Sequence, residues 1–356
     1  MEQINVYGQV FTKEMYTFLM NSFKESFSHA SLSVERAFEE VKDCEITKKR
    51  IKNEKSYEYY QLLSEEKKKE IDDFLKYCTV CRGYQFGVLT GTFNVNTPSD
   101  RIEELFQKHF SYMLEDMHYV ICFTEKGELD ERQTFMNMRE MFRLCFEKKT
   151  AEEKAKNMEE DHRKAFDYAL GLKEIGIKEI IKINEMINHS DPNREVGFKK
   201  TDNMITGASL HVEAKESTPY KMQELLKDYQ EHYKIEIKDY KEENISTAEK
   251  HKRLLAIYEQ EALFHIHFIK IHPFADGNGR TARILTNKHL IDQGLPPVLI
   301  TNYMIEEYKE YISSIDYKGL AKMMLASSSQ LLSNWVSIQK AGILPYSKEE
   351  TSSQAK

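Results

Sequence analysis

Breakers are scarce in this chain, with 14 glycines and 7 prolines in 356 residues. That argues against the turn-rich sandwiches and barrels, which need a turn about every 8–12 residues, and favours long helices. Cysteine is sparse as well: Cys44, Cys78, Cys81, Cys122 and Cys145 are the five present. An odd, scattered set is no disulfide framework and suits a reducing compartment, so a cytoplasmic protein is expected. No run approaches the roughly 20 apolar residues that span a bilayer. The start, "MEQINVYGQVFTKEM", has an early acid and no apolar core, so neither a signal peptide nor a membrane association is expected. A basic tail or stripe is missing too. The 51 basic and 58 acidic residues are mixed along the chain and leave a formal net charge of -7, which argues against a nucleic-acid partner. What remains is 40% hydrophobic with 11% aromatic, enough for a large core.

The pattern along the chain is mainly α-helical. "EVKDCEITKKRIKNEKSYEYYQLLSEEKKKEIDDFLKYC" and "EEKAKNMEEDHRKAFDYALGLKEIGIKEIIKINEMI" carry apolar residues at helical spacing between glutamates and lysines. The turn cluster "NHSDPNREVG" closes an N-terminal helical region over 1–190. A second unit follows over 191–340. It opens with "FKKTDNMITGASLHVEAKEST", weakly alternating and ended by Pro219, which reads as a short β-hairpin or flap. Residues 341–356 form a polar C-terminal tail.

Chemistry concentrates in "HPFADGNGRTAR", residues 272–283. Upstream, "LLAIYEQEALFHIHFIKI" turns apolar nearly all round, as in a helix buried at the centre of a fold. Pro273 disfavours an α conformation at His272, so the helix ends there and holds the imidazole at its mouth. Asp276-Gly277-Asn278-Gly279 gives a turn that can bring backbone close to a ligand. A second helix starts near Arg280 and closes at Gly294, and its N-terminus is a ready site for an anion. Arg280 and Arg283 stand three apart and can fork onto phosphate oxygens. Asp276 suits a magnesium ion, which takes one or two carboxylates plus phosphate oxygens and water. His272 is the natural general base for a hydroxyl proton near neutral pH. Base, metal ligand, phosphate cradle and charge clamp together describe transfer chemistry on a nucleotide's phosphates. An ordinary Gly/Asn turn with a capping histidine would not need all these features in this order.

This stretch resembles the signature of the Fic family, H-x-F-x-D/E-G-N-G-R-x-x-R, with every fixed position filled; weaker similarity runs over about residues 195–320. The resemblance implies a Fic fold, a helical bundle with a short hairpin flap, over 191–340. It implies an enzyme that moves AMP from ATP, with Mg2+, to a Ser, Thr or Tyr hydroxyl of a target protein, and that also modifies itself. His272 would be the base and Asp276 the metal ligand. Gly277, Asn278 and Gly279 would cradle the phosphates, Arg280 would clamp the β-phosphate and Arg283 would reach the γ-phosphate. Phe274 would anchor the loop in the core, and Tyr308 and Ile312 would lie near the base and ribose. The target would pair with the flap as an extended segment, and self-association is common among members. Doc-like relatives that lack the loop glycines act as kinases, and another relative transfers phosphocholine, so a second donor stays open. A catalytically quiet nucleotide-binding or toxin-regulating module is the alternative from another class.

Many Fic proteins carry an inhibitory helix, S/T-x-x-x-E-G/N, whose glutamate pairs with the second motif arginine. "SHASLSVERAFEEV" offers Ser31 and Glu35 at that spacing, on a helix near 22–40, with Arg36 where Gly or Asn is expected. An exposed i,i+4 pair is the plain alternative. Cys78 and Cys81 have no second pair at zinc spacing and read as incidental thiols. His265 and His267, two apart on a helix, face different sides and read as core or boundary histidines. Trp335 reads as a packing anchor of the last helix.

Overall fold

A computed structural model of the chain describes residues 2–34, 42–44, 49, 52–89, 117–191, 194–203, 212–233 and 246–342. The chain divides into two compact units, one formed by residues 1–37 with 155–356 and the other by 38–154. Both are mainly helical, as the shortage of breakers predicts.

The first unit opens with a hairpin, β1 (Gln3–Val6) and β2 (Gln9–Thr12), paired antiparallel with Val6 opposite Gln9. Its two-residue turn has positive φ at both Tyr7 and Gly8, the geometry whose twist matches that of paired strands. Helix α1 (Lys13–Val34) follows directly. Met15, Leu19, Phe23, Phe27 and Ala30 fall at helical spacing and are buried, so this face joins the main core. Phe23 and Phe27 stack at 5.4 Å, and Phe27 meets Phe166 edge-on at 4.9 Å. Phe166 belongs to the C-terminal part of a long helix that runs from Glu131 to Gly171.

The remaining helices of this unit enclose one element. The helix Ile177–Ile187 buries Ile180, Ile183 and Ile187, and the helix Thr218–Asp228 buries Met222 and Leu225. The helix Thr247–Ile271 lies at the centre, with Ile257, Tyr258, Phe264, Ile266 and Phe268 all at 3% exposure or less. Around it pack the helices Asn278–Asp292, Ile305–Ser314 and Tyr317–Lys340. Gly294 ends the first of these with φ +71, as the sequence predicts for a C-terminal glycine. Trp335 is the anchor expected of the last helix: it is 3% exposed and meets Phe11 and Tyr16 edge-on at 6.2 and 6.1 Å.

The second unit contains the helices Glu54–Gln61 and Glu65–Leu89, a 3-10 turn at Met117–Val120 and the start of the long helix at Glu131. Its core gathers Tyr60, Ile71, Leu75, Cys78, Met117, Val120, Met138 and Met141. The Tyr60 hydroxyl donates to Asp72 at 2.6 Å. Cys78 is a free, buried thiol there, in line with an incidental cysteine.

With the helices numbered in chain order after α1, those at 54–61 and 65–89 are α2 and α3, the long helix is α4, and the rest run from α5 (177–187) and α6 (218–228) through α7 (247–271), α8 (278–292) and α9 (305–314) to α10 (317–340). The strand pair lies ahead of α1, whereas the segment read as a hairpin flap is described only at its stems, residues 198–203 and 212–217, which form no strand. Their backbone donors are used elsewhere: the Lys199 amide reaches Pro273 O at 2.9 Å and the Glu213 amide reaches Lys270 O at 3.1 Å. Glu35 and Arg36, and most of the polar tail, lie outside the described residues. Among the described residues no helix is long and apolar enough to cross a membrane.

Truncating Trp335 to alanine empties the contact between hairpin, α1 and α10. We expect Trp335→Ala to lower the unfolding free energy by about 3–5 kcal/mol, read from the midpoint shift in urea denaturation at unchanged slope.

Candidate functional site

The central helix α7 stops at Ile271, and His272 takes a left-handed conformation, φ 50° and ψ 58°. This agrees with the stop expected from Pro273. Such a backbone costs a non-glycine residue roughly 1–2 kcal/mol, so its surroundings must hold it. His272 Nδ1 lies 3.3 Å from the Ile269 carbonyl. That contact favours the Nδ1–H tautomer and leaves the Nε2 lone pair to act as a proton acceptor. Burial lowers the imidazole's pKa below 6.5; the Ile269 carbonyl opposes this, Lys199 adds to it, and Asp276 opposes it. The ring is therefore neutral at physiological pH, the state a general base requires.

Past His272 the chain becomes an irregular loop held by hydrogen bonds from several side chains. Phe274 is 1% exposed, and Asn278 closes the turn over it: Asn278 Oδ1 accepts from the Phe274 amide at 2.9 Å, and Nδ2 donates to the Phe274 carbonyl at 2.8 Å. The Asp276 carbonyl accepts from Asn184 at 2.9 Å and from Asn188 at 3.3 Å. Gly277 follows with φ +77°, and a Cβ there would come within 2.9 Å of Asn184 and 3.0 Å of Asn188. Glycine is required on both counts. Helix α8 then starts at Asn278, two residues before the expected position, and no side chain caps its N-terminus. Its first amides thus stay available for an anion.

The charged residues of the motif are divided. The Asp276 side chain is 69% exposed, and one of its oxygens accepts from Arg280 Nη2 at 2.9 Å. Arg280 is 1% exposed and also donates to Asn188 Oδ1 at 3.2 Å. Arg283, 4% exposed, points elsewhere: its Nη2 donates to the Ser31 carbonyl at 2.9 Å, and its Nε lies 3.4 Å from Ser31 Oγ. The i,i+3 pair read as a single clamp therefore ends on two different sets of acceptors. Ser31, at the end of α1, is one of them. On the same helix Ser28 Oγ lies 3.0 Å from Nδ1 of His162, which is fully buried.

His265 is a satisfied core histidine, as expected. Nδ1 lies 3.0 Å from Thr286 Oγ1 on α8, and Nε2 lies 2.7 Å from the Tyr308 hydroxyl on α9. It ties Tyr308, 6% exposed, and with it Ile312, 5% exposed, to the central helix. Burial, then the charge of Arg283, pushes its pKa down to about 3. His162 is pushed well below 6.5 by burial and by Arg283 and Arg280.

Sequence reasoning missed Asn184, Asn188, Lys199, Asn203 and His162. Asn184 and Asn188 had a signal: two amides four apart on the isoleucine face of α5, where a buried polar pair needs partners. Lys199 and Asn203 had none, because their partners are backbone carbonyls distant in sequence.

Comparison with known proteins bears on these residues. Residues 174–290 match the family model described as Fic/DOC family. A protein named protein adenylyltransferase Fic from Nematostella vectensis is 43% identical over 68 residues, 19% of this chain and 16% of that protein. One of the same name from Aedes aegypti is 45% identical over 51 residues, 14% of this chain and 10% of that protein. The chain thus matches less than a fifth of these relatives' length. A solved Fic domain containing signaling protein from Bacteroides thetaiotaomicron aligns over 83% of this chain and 97% of its own, at 17% identity and a TM-score of 0.42.

Histidines held neutral by burial make the fold acid-sensitive. The unfolded chain takes up their protons near pH 6.5, whereas native His265 does so only near pH 3. Stability is therefore complete above pH 6.5 and falls towards pH 3, by at most about 1.4 kcal/mol per pH unit for each such histidine. A His265→Gln variant should show a shallower loss than the parent in urea melts at pH 7, 6 and 5; equal slopes would contradict it.

Proposed function

We propose that this chain is a protein adenylyltransferase that transfers AMP from ATP to a hydroxyl side chain of a target protein, and to itself. One observation carries the reading: a histidine whose Nδ1 is engaged by the Ile269 carbonyl, with Nε2 outside that contact, stands at the mouth of the central helix, one short turn from a helix N-terminus with no side-chain cap. The names of the relatives support it.

In this mechanism His272 Nε2 removes the proton of a Ser, Thr or Tyr hydroxyl. The oxygen attacks the α-phosphorus of ATP, the bond from that phosphorus to the bridging oxygen breaks, and pyrophosphate leaves. The amides of Gly277, Asn278 and Gly279 bind the phosphates, and Arg280 stabilises the β-phosphate side. Arg283 reaches the γ-phosphate once it leaves Ser31, and Tyr308 and Ile312 line the nucleoside. The donor set suits a hard divalent cation: an exposed carboxylate, Asp276, with phosphate oxygens and water to complete the shell. Among the described residues no group of three His, Cys, Asp or Glu could hold a metal unaided. Mg2+ would supply charge neutralisation on the phosphates. The target would lie along the flap as an extended segment, a mode that reads backbone more than side chains. Such a protein would work in the cytoplasm, where ATP is abundant and thiols stay reduced.

We further propose that α1 restrains this activity. Its Ser31 occupies the guanidinium of Arg283, and Glu35, one turn further along the sequence, would add a carboxylate to the same arginine.

Incubating the protein with ATP and Mg2+ and measuring its intact mass tests the reading. We expect an added adenylyl group, label transferred from the α but not the γ position, and a roughly 100- to 10,000-fold loss in His272→Ala. Label from the γ position, or labelling of His272→Ala at the parent's rate, would overturn it. For the restraint, Glu35→Gly should label itself faster than the parent; an unchanged rate removes Glu35 from the scheme.

A further inference from the structure

No residue of the motif explains how the strained turn at His272 is kept. Lys199 does. Its side chain is buried, 4% exposed, and its ammonium has three oxygens in reach: Glu213 O at 2.6 Å, Ile271 O at 3.1 Å and Asn203 Oδ1 at 3.3 Å. These occupy all three of its N–H donors. Its own backbone amide donates to Pro273 O at 2.9 Å. One residue therefore binds the carbonyls immediately before and immediately after His272. Neighbours extend the bracket on either side: the Glu213 amide on Lys270 O at 3.1 Å, and Asn203 Nδ2 on Phe274 O at 2.9 Å. Asp202 ties the two flap stems together by accepting from the Lys215 amide at 2.8 Å.

We propose that Lys199 is a positioning residue for His272, holding the left-handed turn on which the imidazole stands and coupling that turn to both stems of the flap. The assignment rests on the reading of His272 as the base. Lys199 touches no reacting atom in this scheme. As a cation it also opposes a charge on the imidazole, together with burial and against Asp276 and the Ile269 carbonyl. Asp202 and Glu213 favour the charged lysine while burial disfavours it. Loss of the lysine should therefore raise the pKa of His272. The acid limb of the rate profile should move to higher pH, because the base stays protonated further up the scale.

Three variants and two readouts test this. Lys199→Met removes both charge and donors, Lys199→Gln removes the charge but keeps a donor, and Lys199→Arg keeps both. The titration of His272 is followed by NMR of labelled histidine without nucleotide, assigned against His272→Ala, and the rate of AMP transfer is followed against pH. We expect the Met and Gln variants to titrate His272 at higher pH, to shift the acid limb the same way and to lose about 10- to 100-fold in kcat. The KM for ATP should stay within about twofold, and the Arg variant should lie closer to the parent. Should the Met protein fail to fold, the Gln protein decides. An unmoved titration and acid limb in the Gln variant would overturn the proposal and leave Lys199 a structural clamp. A wild type that transfers no AMP, while Lys199→Gln still moves the His272 titration, would refute the activity and leave the positioning intact.

Discussion

The structure of this site depends on satisfying the backbone of a buried, irregular loop. Between Lys270 and Asp276 the chain leaves the helix, and its carbonyls lose their intrahelical donors. An unpaired buried carbonyl costs on the order of 1–3 kcal/mol, so the loop persists only if other segments supply donors. They do, one for each carbonyl at 270, 271 and 273 and two each at 274 and 276: the Glu213 amide, the Lys199 ammonium, the Lys199 amide, the side chains of Asn203 and Asn278, and those of Asn184 and Asn188. The donors come from α5, from both flap stems and from the first residue of α8. The left-handed backbone at His272 and the glycine at 277 follow from this lattice of bonds.

A second constraint is the presence of two guanidiniums inside the fold. Arg280 and Arg283 are 1% and 4% exposed. Buried charge must meet oxygen, and the two arginines meet different ones, on the loop and α5 for Arg280 and on α1 for Arg283. Burial first, with Arg283 adding at both and Arg280 at His162, keeps His162 and His265 neutral. An arginine held by a helix-terminal carbonyl is stable yet exchangeable. A polyanion at the proposed phosphate site would offer Arg283 several charged oxygens, so in that proposal its binding and the contact of α1 with Arg283 would be linked.

Much of this was legible beforehand where the signal is local. The end of α7 at Ile271 followed from Pro273, the end of α8 from Gly294, and the burial of α7 from its apolar residues on every face. The candidate chemistry of residues 272–283 stood out because histidine, carboxylate, glycines and arginines lie within twelve positions. The centre of the expected flap hairpin lies outside the described residues, and its stems bond to the loop around His272. The strand pair at 3–12, around a Tyr7–Gly8 turn, went unread in the sequence.

The sequence alone determined which segments are helical and gathered the candidate base, carboxylate, glycines and arginines into one stretch, because spacing, capping and proline act over a few residues. Only the tertiary structure decided which donors hold the turn at His272, that the first 37 residues join the unit of residues 155–356, and that Ser31 reaches across to Arg283. Those contacts join residues up to 252 apart in the chain. Nothing local encodes them, since each depends on how packed helices bring one segment's unpaired oxygen to another's donor.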